Sequence, residues 1–384
     1  MINISTKYEL TLNKNYVSKW TVQDAIREFI QNAKDQETVI EDNAMSINYN
    51  EQEEKLFISN KNSILSVSSL LLGTTTKEND NKTIGQFGEG YKIALLVLNR
   101  LNKEVIIYNY GKREVWTSAI VYSKKYKDEL LTIYIDKKHI WQKVPDNNLT
   151  IEINNITKEE FEELKNRTLL FNNNIKEKNT SYGRILFDEE FKGKIFVNSL
   201  YITMIPKLQY GYDIKPEYIN IGRDRDLVSS YDIQNITSNM WSENPGEELE
   251  RIITEQVYDV EYLYKSMYND NNNLSTIADN LYDKYKGKKR NIVKAVITED
   301  EAKEIRLSYT GVTPIFVDYN QKKILENSPK YQKNLKKIKK SNKKDITINQ
   351  AYKIWKTKYS YSLSKTAIRE LDKIIRNYEN RLKE

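Results

Sequence analysis

Three glycines in six positions, GQFGEG over residues 85–90, precede the apolar run YKIALLVL in a chain that otherwise spends glycine sparingly. Only 12 of 384 residues are glycine, and four of them, Gly73, Gly85, Gly88 and Gly90, fall within eighteen positions. The chemistry this suits is anion binding. Glycine lets backbone N–H groups approach a phosphate closely. A helix beginning near Gly90 would add free N–H groups and the positive end of its dipole. Lys77, Lys82 and Lys92 supply mobile cations around it. The same glycines would also serve a plain turn before a core helix. The spacing is not the dinucleotide fingerprint, because no strand feeds into it. Nor is it a P-loop, because Tyr91 and Lys92 follow the last glycine where Lys and Ser/Thr would stand.

A second group precedes it. Glu28, Asn32 and Asp35 are spaced i, i+4, i+7 in a segment, 21–36, whose Ala25, Ile26, Phe29, Ile30 and Ala33 form a helical apolar stripe. At about 100° per residue the two carboxylates and the amide share one face, roughly a third of a turn from the stripe's centre. That face borders the core. An ordinary solvated helix face would carry such residues too.

Stepping outward, 21–36 starts at Thr21 with Asp24 three residues on, a capping-box pattern. Residues 45–49 and 55–59 read as a hairpin, 63–72 as a short apolar stretch, 74–84 as a polar loop and 90–101 as a helix. Strand-like runs follow: EVIIYNY, VWTSAIVY, ELLTIYI and LTIEIN. A helix over 157–170 precedes an Asn-rich break at 172–180. RILF, KIFVNSLYITMI and YINI then suggest more strands, ending in GRDRDLV. From about 247 the chain reads as helical and charged, with one small βαβ-like piece at 292–318.

Composition excludes several chemistries. There is no cysteine and a single histidine, His139, so disulfides, thiolate catalysis, histidine-rich zinc sites and Ser-His-Asp triads fall away. No apolar run approaches the roughly 20 residues of a membrane span, and the first residues lack a signal-peptide pattern. The expectation is a cytoplasmic protein of a low-GC bacterium or its phage, without membrane attachment. Net charge is +7.

REFIQNAKD (27–35), LLLGTTTK (70–77) and IGQFGEGYKIA (84–94), in that order, resemble the motifs of the GHKL, or Bergerat-fold, ATPases. That superfamily includes type II topoisomerases, the ninety-kilodalton heat-shock chaperones, MutL, MORC proteins and histidine kinases. The resemblance covers about residues 27–152. It implies ATP and Mg2+ as cofactors. Glu28 would be the general base, Asn32 the Mg2+ ligand, and Asp35 part of the same N-box. Gly85, Gln86, Phe87, Gly88, Glu89, Gly90 and Lys92 would lie at the β/γ-phosphates. Residues 74–84 would be the ATP lid, with Thr75, Thr76 and Lys77 near the phosphates. Thr150 resembles the family's threonine near adenine. One box departs: Asn60 stands where the family has the adenine-reading Asp, and Asn62 and Ile64 replace its glycines. An Asn oxygen still accepts from adenine, but its amide can equally donate. Asn60→Asp is therefore expected to tighten ATP binding.

The clamp-forming members couple ATP to dimerisation through the N-terminal domain, which implies a homodimer here, and in them a basic residue of the next domain reaches the γ-phosphate. Arg223 and Arg225 in INIGRDRDLV are the candidates for that part, and the same Arg-Asp alternation would also suit local salt bridges. Histidine kinase is disfavoured, because DKKHIWQ lies among strands and not on a dimerisation helix. The expected organisation is α/β: a Bergerat sandwich over 1–175 with a mixed sheet covered by helices, a strand-rich coupling segment over 176–240, and a mostly helical, basic region over 241–384. Eight lysines without an acid, Lys330 to Lys344, suit nonspecific nucleic-acid contact or a solvated linker. The functional expectation is slow ATP hydrolysis with lid closure as a switch. The alternatives are a nucleotide-gated binding module without useful turnover, or a phage-type inhibitory protein that keeps the fold to engage a protein partner.

Overall fold

The protein is described from a computed structural model, which covers residues 6–39, 43–71, 89–137, 148–219, 229–266, 272–287, 291–338 and 347–381. It is a mixed α/β chain that divides into two compact units, residues 1–206 with 210–229, and residues 207–209 with 230–384.

The first unit opens with β1 (Thr6–Asn13), α1 (Val22–Val39), β2 (Met45–Asn50), β3 (Lys55–Asn60), α2 (Gly90–Arg100), β4 (Val105–Asn109), β5 (Glu114–Ser123), β6 (Asp128–Lys137), β7 (Leu149–Ile153) and α3 (Lys158–Lys165). The seven strands form one sheet in the order β1-β6-β5-β4-β7-β3-β2, with every pairing antiparallel. α1 begins at the expected box: Thr21 N–H and hydroxyl donate to Asp24, and Asp24 N–H donates back to the Thr21 hydroxyl. Its stripe of Ala25, Ile26, Phe29 and Ile30 is fully buried against the sheet and α2. Each of the large side chains contributes about 1.5–3 kcal/mol. α2 is apolar on all sides from Ile93 to Leu98 and every one of these is buried, as suits a core helix. It stops in a Schellman cap. Asn102 takes the left-handed conformation at φ 59°, its N–H donates to the Asn99 carbonyl, and Lys103 N–H donates to that of Leu98.

A second sheet in the same unit holds β8 (Glu177–Thr180), β9 (Gly183–Leu186), β10 (Lys194–Val197), β11 (Leu200–Met204) and β12 (Gly211–Ile214), ordered β11-β10-β12-β9-β8 with β10 and β12 parallel. Asn198 and Ser199, both at positive φ, make the tight turn between β10 and β11. Of the strand expected over YINI (218–221), Tyr218 ends a 3-10 turn at Pro216–Tyr218 and Ile219 is extended, residues 220 and 221 lie outside the described residues, and β12 precedes the turn. The Asn-rich break ends in β8.

The second unit contains α4 (Ser230–Ser242), α5 (Glu247–Thr254), α6 (Leu263–Ser266), α7 (Asn272–Lys286), β13 (Ile292–Val296), α8 (Glu299–Ser308), β14 (Val312–Phe316), α9 (Tyr319–Glu326), α10 (Pro329–Leu335), α11 (Ile348–Tyr359) and α12 (Lys365–Arg381). β13 and β14 pair in parallel across α8, which is the βαβ piece expected at 292–318. The helical region expected from about 247 ends in α11 and α12, which pack on each other.

Candidate functional site

Glu28 is 5% exposed and Asp35 is fully buried, while Asn32 between them is half-buried. The face they share therefore lies deeper than the border position expected for it. At Glu28 the cover is α2, which packs on α1. Gly90, the first residue of α2, shows how close the two helices come. A Cβ built there would collide with Glu28 Oε2 and stand 3.2 Å from Cδ. Only glycine leaves room for that carboxylate at the first turn of α2. The N-cap residue Glu89 makes no side-chain capping bond. A carboxylate at a helix N-terminus is favoured by about 1 kcal/mol.

Lys92 is not the mobile cation expected. It is fully buried, its ammonium donates to the Leu71 carbonyl, and it lies 5.6 Å from the Tyr91 ring. The packed first turn of α2 draws its stem inward, and burial pushes its pKa down against the raising effect of Glu89. Tyr91 donates to the Ser69 carbonyl at 2.9 Å, and burial pushes its hydroxyl up to about 12. The two side chains fasten residues 69–71 to α2.

Asn60 ends β3, where Leu56, Ile58 and Asn60 alternate onto the helix-covered face. It is 5% exposed. Its amide nitrogen donates to the Ala33 carbonyl at 2.9 Å and to Asn43 Oδ1 at 2.8 Å. A carbonyl can only accept, so Ala33 sets which way the amide points. Both amide hydrogens are spent, and among the described residues nothing donates to Oδ1. The side chain that could donate or accept by type is, in place, an acceptor. Asn43 is 2% exposed, and its own Nδ2 meets no acceptor. Asn62 adopts φ 51°, a conformation asparagine tolerates better than most side chains. Asn109 closes this end of the sheet. Its Nδ2 donates to the Leu65 carbonyl at 2.8 Å, and its Oδ1 accepts from Leu65 N–H at 3.2 Å.

The structure separates Thr150 from Asn60. Thr150 pairs with Ser59, their hydroxyls 2.9 Å apart, while Asn60 pairs with Leu149. Directly opposed residues share a face and successive ones alternate. Thr150 therefore lies on the sheet face away from α1, opposite to that of Asn60. Asn43 and Asn109 were missed in the sequence. Asn109 carried a signal, a polar residue at the inward parity of VIIYN, whereas Asn43 carried none.

Thr75, Thr76, Lys77, Lys82, Gly85, Gln86, Phe87, Gly88, His139, Arg223 and Arg225 lie outside the described residues. So do Lys339, Lys340, Lys343 and Lys344 of the lysine block. Lys330 in that block is paired with Asp283. Among the described residues no helix is long and apolar enough to cross a membrane.

No protein-family model and no curated protein matches the chain. Among solved structures it is similar to the ATPase and transducer domains of DNA topoisomerase II from Balamuthia mandrillaris, at 11% identity and a TM-score of 0.30, over 52% of this chain and 67% of that one. It is also similar to the ATPase region of Saccharomyces cerevisiae topoisomerase II, at 12% identity and a TM-score of 0.29, over 47% of this chain and 62% of that one. The same yeast region bound to ICRF-187 (dexrazoxane) matches at 12% identity and 0.29, over 47% and 63%. The chain spans about two thirds or less of these domains. Similarity at this level carries neither an activity nor a partner across to it.

Proposed function

We propose that the first unit binds ATP with Mg2+, hydrolyses it slowly and uses closure over the nucleotide, with dimerisation, as a conformational switch. The observation that supports this reading is the meeting of Glu28 with Gly90. It puts one carboxylate at the N-terminal turn of a helix whose preceding sequence is rich in glycine. In this reading the first-turn N–H groups of α2 hold phosphate oxygens. Glu28 orients the attacking water and takes its proton. Asn60 Oδ1 accepts from the adenine amino group, with its amide nitrogen already engaged. Arg223 or Arg225, from the segment that follows the sandwich, reaches the γ-phosphate.

The donor set fits Mg2+. Asn32 offers one hard amide oxygen a turn along α1 from Glu28. Mg2+ commonly takes one or two protein oxygens and completes its shell with waters and substrate phosphates. When bound, it would offset phosphate charge.

Calorimetric titration of MgATP against wild type and Asn32→Ala, with phosphate release measured for wild type and Glu28→Ala, tests the reading. Asn32→Ala is expected to weaken MgATP binding. Glu28→Ala is expected to lower turnover by roughly 10²–10⁴-fold with binding nearly intact. Equal affinities would remove the metal role, and unchanged turnover would remove the base. Tight binding without turnover in wild type would leave the nucleotide-gated module.

A further inference from the structure

The chain's excess of positive charge lies in its last 56 residues. Residues 329–384 hold 17 Lys and Arg against 5 Asp and Glu, net +12, whereas residues 1–328 hold 44 against 49, net −5. No acid occurs between Asp345 and Glu370, a stretch that holds Lys353, Lys356, Lys358, Lys365 and Arg369. α11 threads aromatic rings between these cations. Tyr352, Trp355 and Tyr359 follow one another along one side of the helix, with successive ring centroids 6.0 and 5.9 Å apart. The first pair is nearly parallel, at 21°. At 1.5 Å per residue the row runs about 10 Å. Trp355 is 38%, Tyr359 42% and the following Tyr361 85% exposed, and no residue of α11 is buried. Lys356 is held by Asp372 at 2.7 Å. Lys353 and Lys358 make no ion pair among the described residues.

We propose that Tyr352–Tyr361 is a binding surface for single-stranded nucleic acid. Exposed rings in a row offer π-faces on which unpaired bases stack, and the interleaved lysines meet the phosphates. A duplex has its bases already stacked, so it would engage the lysines alone. An acidic protein or an anionic membrane would match the charge without using the ring faces. The inference stands on the second unit by itself and does not depend on the nucleotide reading.

Fluorescence anisotropy of labelled oligothymidine and of a duplex of equal length, titrated with the full chain at several salt concentrations, tests it. Wild type is expected to bind the single strand more tightly. Trp355→Ala should weaken single-strand binding roughly tenfold and leave duplex binding unchanged, while Trp355→Phe keeps most of the affinity. Tyr361→Ala, at an exposed position, should act the same way with an unchanged melting temperature. Lys353→Gln with Lys358→Gln should weaken both ligands and flatten the salt dependence. No binding of the oligonucleotide, equal losses for both ligands in Trp355→Ala, or binding only to phosphatidylserine-containing vesicles would overturn it.

Discussion

α1 and α12, the two longest helices among the described residues at 18 and 17 residues, are both amphipathic, yet they meet water in opposite ways. α1 buries its whole apolar stripe and takes Glu28 and Asp35 out of water as well. α12 has no buried side chain among those described, and Ile374 and Tyr378 remain 60% and 47% exposed. A helical pattern states which face is apolar. It does not state what covers that face, and a second layer can bury polar residues that the pattern assigns to solvent. α2 is that layer for α1, whereas α12 packs on α11 and leaves Ile374 and Tyr378 exposed.

The contrast can be broken by substitution. Phe29→Ala in α1 should cost about 3–5 kcal/mol in urea unfolding, because it opens a cavity in a packed core. A smaller loss would mean that α1 and α2 are less tightly joined than Gly90 and Glu28 imply. Asn60→Asp is next. It points a carboxylate at the Ala33 carbonyl and Asn43 Oδ1 and removes two hydrogen bonds. The expected loss is about 2–4 kcal/mol of stability, with weaker ATP binding. This reverses the tightening expected from residue type alone, and tighter binding in calorimetry would refute the fixed amide.

Asp24→Asn should cost about 1 kcal/mol at neutral pH as the capping box weakens. Burial alone would raise the Asp24 pKa, but the Thr21 hydrogen bonds, with Arg27 and Arg167, hold it below its usual value. A carboxyl lowered in the folded state adds stability above its unfolded pKa and loses it as pH falls through the folded one. The variant should therefore show a shallower loss of stability in acid than wild type. An identical acid limb would show the box to be open in solution. Smallest of all, Ile374→Ala in α12 should change stability by no more than about 0.5 kcal/mol. A loss above about 1 kcal/mol would show that face covered in solution and erase the contrast.

Much of the frame was legible because its determinants are local. Thr21 and Asp24 mark the start of α1, the six-residue apolar run marks α2, and alternation marks β2 through β7. The parallel β13–α8–β14 piece could be read for the same reason. Other features needed neighbours. β12 is four residues with no period to read, held between β10 and β9. Thr150 lies on the face away from α1 because strand register, which no single strand encodes, pairs it with Ser59. The approach of Glu28 to Gly90 spans 62 positions of chain and follows from α1 packing on α2. The amide direction of Asn60 depends on a backbone carbonyl of another element, which has no signature in residue types.

Asn109 holds Leu65 by both its backbone N–H and its carbonyl, in the manner of a neighbouring strand, although Leu65 lies beyond the end of β3. In hydrogen–deuterium exchange, the Leu65 amide should persist as a single slow position beside the faster Ile64 and Ser66. Its opening should track the separation of β4 from β7, so that one loop amide reports on the integrity of the whole sheet end.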